Sequence, residues 1–406
     1  MSAAAAVEDS VQGLREVNRM IYLAPSNASL IDKRTMKSYN FSSQDYSAGQ
    51  TAQCIINSGG DAIWGPTSYL RFEFTTDAAA KVGKGSVLNF IKSVRLTHRS
   101  GEVLEDIKTY NVLGKLMLDY ACSVEQKAKT APLLAVPDGA ATRVRCIPMW
   151  MLLGVFNEQT QYIPPGMLAG AKLEIQLEEN AIAFSDAAAT LTDVKMNVVL
   201  DSAQVYDSVT KQLMDEQADV AASGLQFSYS TWFNSSQVFP NSAVNFDVMQ
   251  SASITQLATA VVRPSASLAV GQDSFEYVST ITSSQWRLGS QYFPQQALKL
   301  LSAVEQVEAY YTTLVGWDGA PNQYAGYLAS GKGVAATYAD FIDGAANYAQ
   351  TMEKSSTGLQ LTGEATNNSR VLNFEATKSA VNDRVDVFLC YLRVANIMGD
   401  NLVVDR

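Results

Sequence analysis

SVRLTHRSGEVLED, residues 93–106, has a counterpart far down the chain in SQWRLGSQYFPQQAL, residues 284–298. In each, a short apolar segment built around one arginine reads as a strand: Val94-Arg95-Leu96 and Trp286-Arg287-Leu288. A glycine turn follows both, at Gly101 and at Gly289, with Pro294 behind the second. Helical spacing comes next. Leu104, Ile107, Val112, Leu116 and Leu118 form one face over 104–122. Leu298, Leu301, Val304, Val307 and Tyr311 keep the same step over 296–315. Arg95 and Arg287 lie 192 positions apart, which predicts an internal duplication with a strand, turn and helix in each copy.

Around these elements the chain alternates with the period of β-structure. SYLRFEFTT (68–76) sets Leu70, Phe72 and Phe74 on one face. AKLEIQLEE (171–179) sets Ala171, Leu173, Ile175 and Leu177 against Lys172, Glu174, Gln176 and Glu178. Residues 193–207 alternate again through Val194, Met196, Val198 and Leu200. RVDVFLCYLRVANIM (384–398) is almost continuously apolar and predicts a central strand buried on both faces. The polar stretch 213–224 predicts the seam between the copies. Residues 5–20 space Val7, Val11, Leu14 and Val17 as a short amphipathic helix before Pro25. That helix can pack on its own body or serve as an arm toward a neighbouring subunit or a lipid surface.

Composition narrows the function classes. Hydrophobic residues reach 47%, enough for extensive cores, while charged residues are only 17%. A surface so poor in charge suits a chain that hides itself against copies of its own kind, or a particle component. The net charge of −10 argues against a broad nucleic-acid footprint. Lys81, Lys84, Lys92, Arg95 and Arg99 are interleaved with apolar residues. Cys54, Cys122, Cys146 and Cys390 have no CxxC spacing and read as free thiols from a reducing compartment. The start shows no signal-peptide pattern, and no run is long and apolar enough to span a bilayer.

Chemistry is sparse. His98 is the only histidine, which argues against a Ser-His-Asp triad or a histidine-rich metal site. The matching turn holds Ser290-Gln291, nothing titratable, so His98 reads as structural. Gly331-Lys332-Gly333 lacks the rest of a phosphate loop. Glu174, Glu178 and Glu179 could supply a glycosidase pair, but alternation on a solvated strand already explains them. Catalytic, metal and cofactor residues are therefore expected to number none. Long loops are expected at 123–145 and 310–348, both facing outward. An alternative function, binding or processing carbohydrate on a β-sandwich, would use Trp317, Tyr324 and Tyr327 as a sugar platform.

Several motifs carry a family likeness. They are Arg145-Cys146-Ile147-Pro148 leading into Met149–Leu153, and Tyr162-Ile163-Pro164-Pro165-Gly166-Met167-Leu168 before an alternating strand. Val199-Leu200-Asp201 followed by Tyr206 is a third, and Trp286-Arg287-Leu288-Gly289-Ser290 with Tyr292-Phe293-Pro294 a fourth. Together they resemble the double jelly-roll major capsid proteins of tailless icosahedral double-stranded DNA viruses, a likeness shared with polinton-like and virophage-like lineages. The resemblance implies an all-β fold of two consecutive eight-stranded jelly rolls, with a short helix in each and an N-terminal helical arm. The corresponding divisions are an arm at 1–36, jelly roll 1 at 37–212, a linker at 213–224 and jelly roll 2 at 225–406. It further implies a non-enzymatic subunit of the virion, made in the host cytoplasm or nucleus. Its implied partners are itself, as a homotrimer forming pseudo-hexagonal capsomers, and neighbouring capsomers. Minor capsid, penton or cement proteins and an internal membrane reached through the arm complete the set, without sequence-specific nucleic acid.

Overall fold

A computed structural model describes residues 31–82, 86–157, 162–184, 186, 188–205, 225–263, 281–318, 336–342, 346–352, 363–366, 370–379, 382–398 and 401–405. The helix expected over 5–20, the linker at 213–224, Tyr324, Tyr327 and Lys332 lie outside those residues.

Eight strands form the first half: β1 (Ile31–Asn40), β2 (Thr51–Asn57), β3 (Ala62–Thr76), β4 (Ile91–Thr97), β5 (Val103–Ile107), β6 (Ala141–Pro148), β7 (Ala169–Leu177) and β8 (Leu191–Val205). They make two antiparallel sheets, ordered β1-β8-β3-β6 and β2-β7-β4-β5. Alternation sets which side chains turn inward. In β7 every second residue from Ala169 to Leu177 is buried, and in β3 Leu70, Phe72 and Phe74 are. The sheets face each other across an aromatic layer, with Phe90 5.2 Å from Phe74 and 5.3 Å from Phe184.

The second half repeats the plan with β9 (Leu225–Phe239), β10 (Ala243–Val248), β11 (Ala252–Arg263), β12 (Ile281–Leu288), β13 (Gln291–Lys299), β14 (Tyr348–Thr351), β15 (Glu364–Thr366), β16 (Leu372–Lys378), β17 (Asp383–Met398) and β18 (Asn401–Asp405). One sheet runs β10-β16-β12-β13, the counterpart of β2-β7-β4-β5. In the other, β17 lies between β9 and β11, β14 and β15 pair with β11, and β18 pairs with the end of β17. Its β9-β17-β11-β14 order is the counterpart of β1-β8-β3-β6. The apolar run at 384–398 is thus a central strand, as its composition predicts. Trp286 Nε1 donates to the Tyr348 carbonyl at 3.1 Å, joining the two sheets.

The duplicated element differs from the expectation at one point. After each glycine turn the chain returns as a strand before any helix forms. β4 and β5 pair Leu96 with Glu105 and Val94 with Ile107, and β12 and β13 pair Leu288 with Gln291 and Trp286 with Phe293. Residues 104–107 and 296–299 are therefore hairpin strands, not first helical turns. Short apolar runs satisfy both periods, and an available strand edge decides between them. Gly289 sits at φ +60°, a left-handed position that costs glycine little. The helices start later, α1 at Tyr110–Leu116 with a π turn through Ala121, and α3 at Ala303–Asp318.

Both stretches expected as loops contain regular elements. Residues 123–145 hold α2 (Val124–Leu134) and most of β6. Ser123 and Gln126 cap α2 reciprocally, a signature visible in the sequence. Residues 310–348 begin inside α3 and include α4 (Tyr338–Ile342). β1 starts at Ile31, six residues inside the stretch assigned to the arm. Among the described residues, no helix is long and apolar enough to cross a membrane.

Candidate functional site

The two halves meet along β5 and β9, and the seam is built from a buried carboxylate. Glu105 lies in β5 next to Leu104, and both side chains are fully buried. Its oxygens accept from the Gly154 amide at 2.9 Å, the Val155 amide at 2.7 Å and Thr231 Oγ1 at 2.8 Å. Gly154 and Val155 belong to the first half and Thr231 to β9, so one carboxylate ties both. Loss of water around it outweighs these donors and the nearby Arg393 guanidinium, and pushes Glu105 up to about 7. Backbone carbonyls of β5 add to the junction. The Leu104 carbonyl accepts from Tyr229 Oη at 2.9 Å and from Arg393, which also donates to the Val103 carbonyl at 3.0 Å.

Gly154 is required by the closeness of the halves. A Cβ there would lie 1.7 Å from the Ser230 carbonyl oxygen. An aromatic stack also joins the halves. Trp317 of α3 sits with its ring centroid 6.0 Å from Tyr120 of the first half and 5.5 Å from Trp232 of β9. Its Nε1 donates to Asn347 Oδ1 at 3.0 Å. Trp317 is 1% exposed, so it cannot serve in a sugar platform, and the expectation is overturned for that residue; Tyr324 and Tyr327 lie outside the described residues. Thr109, in the left-handed region at φ +50°, donates to Asn234 Oδ1 at 3.1 Å, and the Ala336 amide donates to the Asp119 carbonyl.

A cleft of about 580 Å³ opens where the halves meet. Lys92, Lys108, Glu174 and Glu178 line it from the first half, and Arg263 and Arg384 from the second. Glu174 and Glu178 thus share one cavity, whereas Glu179 does not line it. Each acid is engaged by the fold. Glu174 accepts from Gln53 at 3.1 Å and pairs with Lys172 at 2.7 Å. Glu178 is buried, accepts from Asn111 Nδ2 at 2.9 Å and lies 3.8 Å from Lys92, with burial raising its carboxyl. On the other wall, Arg263 and Arg384 converge on the fully buried Asp386 at 2.7 and 3.1 Å.

His98 is buried in the β4–β5 turn. Its Nδ1 contacts Ser100 Oγ at 2.8 Å and accepts from the Ser100 amide at 3.1 Å. Burial and the adjacent Arg99 hold it below its ordinary value. Cys54, Cys122 and Cys390 are buried thiols, with Cys54 pushed up to about 11 and Cys122 to about 12 by burial. Among the described residues, no group of three or more His, Cys, Asp or Glu is placed to hold a metal ion.

Glu105, Gly154, Thr231 and Arg393 were not singled out from the sequence. An acidic residue between Leu104 and Ile107 was the available signal, since a buried strand position rarely holds an unpaired charge. A second surprise concerns α3. Leu301, Val304, Val307 and Tyr311, expected as one apolar face, are 73%, 82%, 49% and 54% exposed. The helix instead buries Ala309, Thr313, Leu314 and Trp317.

No protein-family model matches the chain, and no curated protein does. Solved structures match it over nearly its whole length. VP54 of PBCV-1, as fitted into a reconstruction of the virophage Sputnik, superposes with a TM-score of 0.64 at 11% identity, over 95% of this chain and 99% of that one. The Faustovirus major capsid protein gives 0.63 at 9% identity, over 95% and 94%. The mavirus major capsid protein gives 0.52 at 11% identity, over 94% and 92%. The fold of this chain is the double jelly roll of those proteins.

Proposed function

We propose, from that fold, that the chain is a major capsid protein, the repeating subunit of an icosahedral virus shell. One observation carries the reading: a twice-repeated two-sheet plan whose likeness to VP54 spans 95% of this chain and 99% of that one. Two jelly rolls joined through 213–224 give each subunit two similar blocks, and three copies supply six for a pseudo-hexagonal capsomer. Capsomers tile the shell around the genome, and the chain's work is done by its surfaces rather than by catalysis. The 1–36 region reaches minor proteins or an internal membrane, and penton or cement proteins fill the remaining positions. Synthesis takes place in the host cell, followed by incorporation into the virion.

Light scattering on the purified chain, with electron micrographs of the same fraction, tests this. The expected mass is about three times the 43.9 kDa chain, with hexagonal outlines or shells. A monomer that never assembles across salt and pH would overturn it.

A further inference from the structure

Cations gather in the cleft between the halves of an otherwise acidic chain. Lys92, Arg95 and Lys108 line it from the first half, and Arg263 and Arg384 from the second. Three carboxylates, Asp106, Glu174 and Glu178, share the lining. Which of these charges are already matched decides what is left. Glu178 answers Lys92 at 3.8 Å, and Glu174 is held at 2.7 Å by Lys172, which lies outside the lining. The fully buried Asp386 serves Arg263 and Arg384 together, so one positive charge remains between them. Arg95 and Lys108 are exposed and, among the described residues, form no ion pair. Register sets Arg95 opposite Asp106 on β5 and Glu174 on β7, and Asp106 is the unpaired carboxylate left to offset the two. A second positive charge therefore remains, although the chain as a whole carries −10.

We propose that this cleft binds a small polyphosphate anion, held by Arg95 and Lys108 on one wall and by Arg384 on the other. The rest of the lining narrows the ligand. Thr51, Ser93 and Gln176 add hydroxyl and amide groups that can donate to phosphate oxygens. Among the described residues, Ile182 is the only apolar side chain in the lining, and no aromatic ring reaches it. A nucleobase has nothing to stack on there, and an acyl chain has little to bury against. Guanidinium groups match phosphate oxygens in pairs, and the lysine adds a mobile donor. A volume of about 580 Å³ lies within the range of small-molecule sites. The ligand would touch both halves, so it would fasten the junction that Glu105 and Thr231 make and raise the melting temperature. The site lies within one chain, so its test does not depend on assembly.

Calorimetric titration of the full-length chain with sodium tripolyphosphate decides it. One site per chain is expected, with an affinity that falls as sodium chloride rises. Arg95→Ala and Lys108→Ala remove exposed side chains, so the fold stands, and each should weaken binding about tenfold. Asp106→Asn removes the unpaired negative charge and should tighten binding, a sign that structural damage would not produce. Lys129→Ala, exposed on α2 and outside the cleft, should bind as wild type does. No saturable binding, wild-type affinity in both Arg95→Ala and Lys108→Ala, or an equal loss in Lys129→Ala would overturn the site. A thymidine tetranucleotide that binds as tightly as tripolyphosphate, with the same loss in Lys108→Ala, would overturn the small anion and assign the cleft to nucleic acid. If circular dichroism shows that Arg95→Ala or Lys108→Ala misfolds, the direction of the Asp106→Asn change decides alone.

Discussion

Glu105 and Thr231, 126 positions apart, meet at 2.8 Å through a buried carboxylate–hydroxyl hydrogen bond. That contact joins two jelly rolls whose sheets share no strands. A charge-capable group buried at such a junction makes the seam sensitive to protonation. Burial raises Glu105 from 4.5 to about 7, so folding takes up a proton between those values. Its contribution is fully present below pH 4.5 and is lost as pH rises through 7, at up to roughly 1.4 kcal/mol per pH unit. Denaturant unfolding at a series of pH values should show stability falling across that window. Glu105→Gln should flatten the fall. His98, held low by burial, acts in the opposite sense, losing its contribution as pH drops, so the Glu105→Gln difference isolates the carboxylate.

Gly154→Ala places a methyl group where the Ser230 carbonyl already stands. Backbone occupies that space, so the halves must separate. A loss of roughly 3 kcal/mol or more is expected from denaturant midpoints. Gly60→Ala, with nothing within 4 Å of the added Cβ, should stay within about 0.5 kcal/mol of wild type. Equal effects at the two sites would refute the close approach.

Trp317→Ala removes the ring held between Tyr120 and Trp232 and leaves Asn347 Oδ1 without that donor. Urea unfolding should show a loss of about 3–5 kcal/mol. A change within experimental error would mean that the stack closes over the gap.

Asp386→Asn takes the carboxylate from between Arg263 and Arg384. Arg263 is itself buried, so its charge would be left uncompensated, at a cost of about 3–5 kcal/mol. Thermal melts of Asp386→Asn against Arg384→Ala separate the two partners. The solvent-facing Arg384 should matter far less, by about 1 kcal/mol or under.

How much of this was readable in advance depended on whether a local period carried the information. The strands at 68–76, 171–179 and 384–398 were, because alternation or an unbroken apolar run reports burial directly. The hairpin strands β5 and β13 were not, since Leu104 and Ile107, or Leu298 and Leu301, satisfy helical spacing as well. The Ser123–Gln126 capping box was present in the sequence and marks the start of α2. The seam had no comparable signature. Glu105 and Thr231 acquire their relationship only when two sheets, each closed by its own long-range pairing, come together.

By itself, the sequence determined the β class, the duplication and the strand faces, because side-chain alternation and glycine turns are properties of neighbouring residues. Tertiary structure alone decided which apolar faces find a partner. Val304 and Tyr311 keep the same helical step as core residues, yet they stand in solvent while Trp317 is buried. The physical reason is that periodicity reports the existence of a face, whereas burial depends on what the rest of the chain, or another copy, brings against it.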